Sequence, residues 1–216
     1  MVRAGEEASA MSDTIDYYFS LASPWAYLGH APFMDMAKRH GFGVNFKPVF
    51  LPNVFEETGG LVLPKRHPVR QRYRLVEMQR WRDRRGVPLT IHPKFWPFDC
   101  QFADRTVLAV AMTGHDPGGY LGLAFAGVWA NDLNLADKAV LEGLLRRAGH
   151  DPAAILAAAD SGPVTAAYQR HVTEAIEAGV IGSPCYVRKG EVFWGQDRLD
   201  LLEDAVRSGR DGYRPV

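Results

Sequence analysis

One stretch limits the fold more than any other: Asp16 to Tyr27, Asp-Tyr-Tyr-Phe-Ser-Leu-Ala-Ser-Pro-Trp-Ala-Tyr. Ile15, Tyr17, Phe19 and Leu21 recur at every second position and carry aliphatic or aromatic bulk, the pattern of a buried strand. Ser23-Pro24 then predicts an abrupt change to helix. Serine is a favoured N-cap, and proline suits the first helical position because the N–H it lacks would have had no partner there. A strand that turns straight into a helix puts the Ser23 hydroxyl at a helix mouth, beside free backbone N–H groups and the positive end of the helix dipole. Such a place holds an anion, and a thiolate is one such anion.

Ser23-Pro24-Trp25-Ala26 has the outline of a Cys-Pro-Trp-Cys redox motif without either sulfur. Disulfide exchange needs those thiols. Two readings stay open: Ser23 only caps the helix, or it stabilises a thiolate supplied from outside. The chain has two cysteines in all, Cys100 and Cys185, outside any CxxC spacing. A disulfide framework, a dithiol redox centre and a thiolate zinc site are not expected, and no metal site is expected from the seven histidines. This cysteine usage fits a cytoplasmic setting.

The rest of the chain reads as an α/β fold with a helical block inside it. A first helix is expected from Pro24 to His40, stopped by Gly41, and a second strand over Val44–Phe50, which makes a parallel βαβ unit. Leu51 to Leu63, with Pro52, Gly59 and Gly60, reads as a loop at the carboxyl end of that strand and so as a wall of a site. Pro68 to Arg85 reads as a basic helix bearing Arg70, Arg72, Arg74, Arg80, Arg82, Arg84 and Arg85. Most of these belong to a solvated face, with one or two near the helix start facing an anionic ligand. Leu89 to Phe102 is irregular and aromatic (His92, Phe95, Trp96, Phe98). It reads as the lining of an apolar pocket or as core under a long loop.

Five helices follow, over Ala103–Thr113, Tyr120–Ala130, Leu135–Ala148, Pro152–Ala159 and Val164–Ala178, with no convincing strand among them. Cys185–Arg188 and Glu191–Trp194 form a hairpin around Lys189-Gly190, and Gly195-Gln196-Asp197 opens a last helix. The expected division is a tail over residues 1–13, with Met1 or Met11 as the start, one domain over 14–208 with a helical insertion at about 64–178, and a C-terminal tail over 209–216. At 216 residues the chain can bury a sizeable core. Lys+Arg and Asp+Glu both number 25, which argues against a generic nucleic-acid or membrane-surface binder. No apolar run approaches the ~20 residues of a membrane span, and the first dozen residues do not read as a signal peptide.

The order of elements is that of a thioredoxin-like fold with an inserted all-helical subdomain. The chain resembles the 2-hydroxychromene-2-carboxylate isomerase family of the DsbA-like superfamily, related to the kappa-class glutathione transferases. The resemblance rests on Tyr17-Tyr18-Phe19 with Ser23-Pro24-Trp25-Ala26-Tyr27-Leu28-Gly29, on Arg80-Trp81, on Gly182-Ser183-Pro184, and on Phe193-Trp194-Gly195-Gln196-Asp197-Arg198-Leu199. It implies glutathione as cofactor, with Ser23 holding its sulfur. It implies a cis bond at Ser183-Pro184, backbone pairing of glutathione beside it, and contacts from Gln196 and from Asp197, the latter to the α-amino group. Asp197 could equally cap the last helix. The small-molecule aromatic substrate would meet Trp25, Arg70 and Tyr73, with an arginine on its carboxylate. The implied activity is a glutathione-dependent isomerase acting in aromatic catabolism. A kappa-like glutathione transferase and a non-catalytic glutathione- or peptide-binding module are the alternatives. A homodimer is implied.

Overall fold

The computed structural model describes residues Thr14 to Val216; the expected N-terminal tail and the choice between Met1 and Met11 lie outside the described residues. The chain runs β1 (Thr14–Phe19), α1 (Pro24–His40), β2 (Gly43–Pro48), α2 (Leu51–Thr58), α3 (Pro68–Arg85), α4 (Gln101–Met112), α5 (Gly118–Trp129), α6 (Lys138–Arg147), α7 (Pro152–Ala159), α8 (Gly162–Glu177), β3 (Cys185–Arg188), β4 (Glu191–Trp194) and α9 (Leu199–Ser208). The strands form one mixed sheet in the order β2-β1-β3-β4. β1 pairs parallel with β2 and antiparallel with β3, and β3 pairs antiparallel with β4. This is the expected thioredoxin-like arrangement.

Alternation along β1 sends its side chains to two buried faces. Ile15, Tyr17 and Phe19 join Tyr186 of β3 in the main core. There they pack on Leu28, Phe33 and Met36 of α1 and on Phe125 and Trp129 of α5. Tyr18 points the other way, with Cys185 and Val187 of β3, into a second cluster completed by Val54 of α2 and Ala175 of α8. The last helix of the block therefore covers a face of the sheet. Lys47 of β2 seals the edge of that cluster, with Nζ 2.9 Å from both Asp16 and Glu174.

α1 has the expected ends. Ser23 caps it, and Gly41 stops it in the left-handed conformation at φ 68°. The final turn carries Lys38, Arg39 and His40, which suits the negative end of the dipole. The expected loop over 51–63 is a correction. Its first half is α2, entered through Pro52 and closed by Gly59 at φ 77°. The proline and glycine that read as loop punctuation are the start and stop of a short helix held by the buried Val54. Two smaller differences involve turns. Gln196–Arg198 is a single 3-10 turn ahead of α9, and Trp96-Pro97 is a second cis bond besides Ser183-Pro184.

Candidate active site

Ser23 sits where β1 gives way to α1. Its N–H donates to the Ser20 carbonyl at 3.0 Å, which closes a tight turn. Its Oγ accepts the Ala26 N–H at 3.2 Å, the N-cap bond, and donates to the Ser183 carbonyl at 2.9 Å. The hydroxyl is buried and thus bridges the first turn of α1 to the cis-proline loop. The two segments meet a second time, where the Ser20 N–H donates to Ser183 Oγ at 3.1 Å. The cis-proline loop in turn holds the segment after β4, since the Gly195 N–H donates to the Pro184 carbonyl at 2.9 Å.

That last contact explains a glycine. Gly195 has φ 103°, and a Cβ there would collide with Asp197 Oδ1. The carboxylate of Asp197 points outward beside Arg198, at 2.7 Å, and stays 41% exposed. No side chain caps α9, so the capping role considered for Asp197 is not the one it takes here. Gln196 is buried. Its side-chain carbonyl and its backbone carbonyl each accept a 2.9 Å hydrogen bond from Arg85 at the end of α3. Gln196 also packs against Gly29 of α1, six residues beyond Ser23 and so about 9 Å along the axis.

Trp25 is half-buried against the main core. Arg70 and Tyr73 lie on the exposed face of α3, and the Tyr73 ring is 58% exposed. One turn beyond Arg70, Arg74 turns inward, and its guanidinium lies 5.2 Å from the centre of the Trp96 ring. Trp96 donates from Nε1 to the carbonyl of Ala22, next to Ser23, at 3.1 Å. Around Arg74 and Trp96, Leu63, Leu75, Ile91 and Pro93 help to line a recess of about 430 Å³. A larger open groove of about 1080 Å³ runs along β2 and the end of α1; neither Ser23 nor the cis-proline loop lines either cavity, and Trp96 is the link from the smaller one to the serine turn.

Composition and spacing did not single out Asp104. It is fully buried on α4, directly behind the turn that presents Ser23. Oδ1 accepts the Leu21 N–H at 2.9 Å, and Oδ2 accepts from Ser20 Oγ at 3.2 Å and from the Tyr168 hydroxyl at 3.1 Å. Burial pushes its carboxyl up to about 7 against the pull of these donors. A signal was present: Asp104 stands in register with Val107, Leu108 and Ala111 on a helix face that is otherwise apolar.

Both cysteines are free and buried. Cys185 follows the cis-proline, and burial pushes its thiol up to about 12; Cys100 is raised further for the same reason, with Asp104 adding to it. Neither is a thiolate nucleophile at neutral pH. Among the described residues, no group of three or more histidine, cysteine or acidic side chains is placed to hold a metal ion. No helix among them is long and apolar enough to cross a membrane.

Residues 14–207 match the DSBA-like thioredoxin domain. The chain is 30% identical over 200 residues to a 2-hydroxychromene-2-carboxylate isomerase of Pseudomonas sp. (strain C18), covering 89% of each chain. It is 28% identical to another of that name from Sphingobium xenophagum, covering 89% of this chain and 97% of the relative. A solved 2-hydroxychromene-2-carboxylate isomerase superposes with a TM-score of 0.79 at 25% identity, covering 90% of this chain and 95% of the other. The cytosolic disulfide reductase DsbM of Pseudomonas aeruginosa shares the fold, with a TM-score of 0.66 at 18% identity and cover of 91% and 96%. A serine-headed first helix bridged to a cis-proline loop therefore sits in a chain that belongs to the DSBA-like thioredoxin domain family and, within it, to the 2-hydroxychromene-2-carboxylate isomerase family.

Proposed function

We propose that this protein is a glutathione-dependent isomerase that interconverts 2-hydroxychromene-2-carboxylate and trans-o-hydroxybenzylidenepyruvate in the breakdown of naphthalene-type aromatics. The observation that carries the reading is the Ser23 hydroxyl, held between the first turn of α1 and the Ser183 carbonyl. It stands in a chain 28–30% identical to enzymes of that name.

The residues present suit glutathione. Ser23 would face the sulfur, with its hydroxyl as donor. The N–H of Trp25, in the first turn of α1, has no helical acceptor and adds a second donor at the positive end of the dipole. Backbone groups beside Ser183-Pro184 would pair with the peptide as an added strand does. Asp197 supplies an exposed carboxylate for the α-amino group, and Gln196 fixes that segment through Arg85. When bound, glutathione would supply a thiol able to add to a conjugated carbon and leave again, which frees rotation about the former double bond.

The protein's own part is to orient and to hold charge. Ser23 and the α1 terminus favour the ionised sulfur. The apolar recess at Trp96 keeps water from the ring. The cis-proline loop would hold the peptide by its backbone groups. The test is turnover of 2-hydroxychromene-2-carboxylate followed spectroscopically, with and without reduced glutathione. Turnover that requires glutathione without consuming it is the expected result. Equal rates in its absence would overturn the proposal, and a stable glutathione conjugate as product would make the protein a transferase.

A further inference from the structure

Arg74 is a cation without a counter-ion. Among the described residues no carboxylate lies within ion-pair distance of it, and the acidic residues of the same helix, Glu77 and Asp83, are taken by Arg80 and Arg82. Its surroundings oppose its charge. Burial comes first and the like charge of Arg66 second, and together they lower its pKa to about 10, which still leaves it charged at neutral pH. Arg66 is also without an acidic partner among the described residues; its Nε donates to the Leu61 carbonyl and its head lies over the Phe55 ring. A half-buried guanidinium that no carboxylate among the described residues neutralises is set to receive an anion from solution.

The rest of the recess restricts which anion. Leu63, Leu75, Ile91 and Pro93 are apolar, and the indole of Trp96 offers a flat wall already stacked against Arg74. Gln71, Arg72 and His92 also line it; Arg72 and His92 are exposed, so Arg74 is the half-buried cation of the recess. The volume of about 430 Å³ suits a molecule of one or two fused rings. Trp96 also touches the carbonyl next to Ser23, so a ring lying on it is led toward the serine.

We propose that the recess between the start of α3 and residues 91–96 binds a small planar aromatic monocarboxylate, with Arg74 forked on the carboxylate and Trp96 against the ring. This assignment deepens the isomerase reading and takes Ser23 as the reacting end of the same site. It also moves the carboxylate contact from Arg70, which faces solvent, to the arginine one helical turn further on.

Binding can be tested apart from turnover. Calorimetry on the full chain without glutathione would compare 1-naphthoate with 1-naphthamide, which has the same shape and no charge. The acid is expected to bind at least about tenfold more tightly, the scale of one charge-assisted contact. Arg74→Gln should remove most of that preference and leave naphthamide binding as it was. Arg80→Gln, on the exposed side of the same helix, should leave both as they were. Should Arg74→Gln fail to fold, Arg74→Lys keeps the charge, loses the fork, and should weaken naphthoate alone. The proposal is overturned by equal affinity for the two probes or by no naphthoate binding at millimolar concentration. A preference that survives Arg74→Gln, or that disappears in Arg70→Gln but not in Arg74→Gln, also overturns it. A naphthoate preference without chromene turnover would sink the isomerase reading and leave the site standing. Turnover without the preference would do the reverse.

Discussion

Replacing Asp104 by asparagine should remove a pH dependence of stability that the wild type carries between about pH 4 and 7. The carboxyl is fully buried, and its folded pKa is raised from the ordinary 3.8 to about 7, chiefly by burial. Around it stand Ser20 and Leu21 from the β1–α1 turn, Cys100 ahead of α4 and Tyr168 from α8. The unfolded chain gives up this proton near pH 4, and the folded protein keeps it until about pH 7. Between those values the folded state binds more protons, so stability is full below the unfolded pKa and falls as pH rises through the folded one. The difference corresponds to an upper figure on the order of 4 kcal/mol. Asparagine keeps an oxygen for the Leu21 N–H and cannot ionise. Urea denaturation at pH 5 and pH 8 measures the effect: the wild type should lose about 2–3 kcal/mol on going to pH 8 and Asp104→Asn should lose much less. Equal losses in the two proteins would refute the assignment of this carboxyl as the titrating group. The Leu21 N–H and Ser20 Oγ both donate to Asp104, so its ionisation strengthens these two bonds while burial opposes the charge.

Other expectations are narrower. Gly195→Ala should cost about 1–3 kcal/mol, since it forces a side chain onto φ 103° and into Asp197; glutathione titration should show weaker binding with naphthoate binding retained. Lys47→Met leaves Asp16 and Glu174 facing each other without their shared cation, half in solvent. A loss of about 1–2 kcal/mol in urea is expected, and an unchanged midpoint would contradict it. The protein is expected to be a homodimer; Val69, Tyr73 and Val76 form an exposed apolar stripe on α3, and light scattering should give about twice the 24.0 kDa chain mass.

Elements with strong local signals were legible in the sequence. α1, α3 and α7 begin at prolines and end as their caps or stops dictate, and the β3–β4 hairpin follows from Lys189-Gly190 between two short apolar runs. α2 was not legible because it is short, and its proline and glycine have the same look at the ends of a helix as inside a loop. The cis bond at Ser183-Pro184 came from resemblance alone, and the one at Trp96-Pro97 was not expected. Local logic placed Ser23 at the cap of α1, because capping is a property of neighbours in sequence. It did not single out Asp104, and it named the exposed Arg70 and not the half-buried Arg74, because burial depends on what packs across the helix. Asp104 meets a turn 83 residues away and Arg74 meets Trp96 across a loop.

Ser23 caps α1, and the proposed chemistry would use the same hydroxyl, so the structure limits how much that chemistry can gain. Ser23 Oγ already accepts the Ala26 N–H and donates to the Ser183 carbonyl. To hold a thiolate, its proton must turn away from that carbonyl. The gain is then the difference between a charge-assisted hydrogen bond, about 1.5–3 kcal/mol, and the neutral one given up, about 0.5–1.5 kcal/mol. Roughly 1–2 kcal/mol remains, which lowers the pKa of the bound thiol by about one unit. Ser23→Ala should therefore slow turnover at neutral pH about tenfold, and the deficit should close at alkaline pH, where the thiol ionises without help. The same change removes the N-cap and the donor to Ser183, at about 1–3 kcal/mol of stability, which a domain holding about 5–15 kcal/mol survives. The measurement is a pair of pH–rate profiles at saturating glutathione, with urea denaturation of both proteins. A profile displaced by about one unit supports the assignment. Coincident profiles, with stability lowered as a lost cap requires, would leave Ser23 as the cap of α1 and take it out of the chemistry.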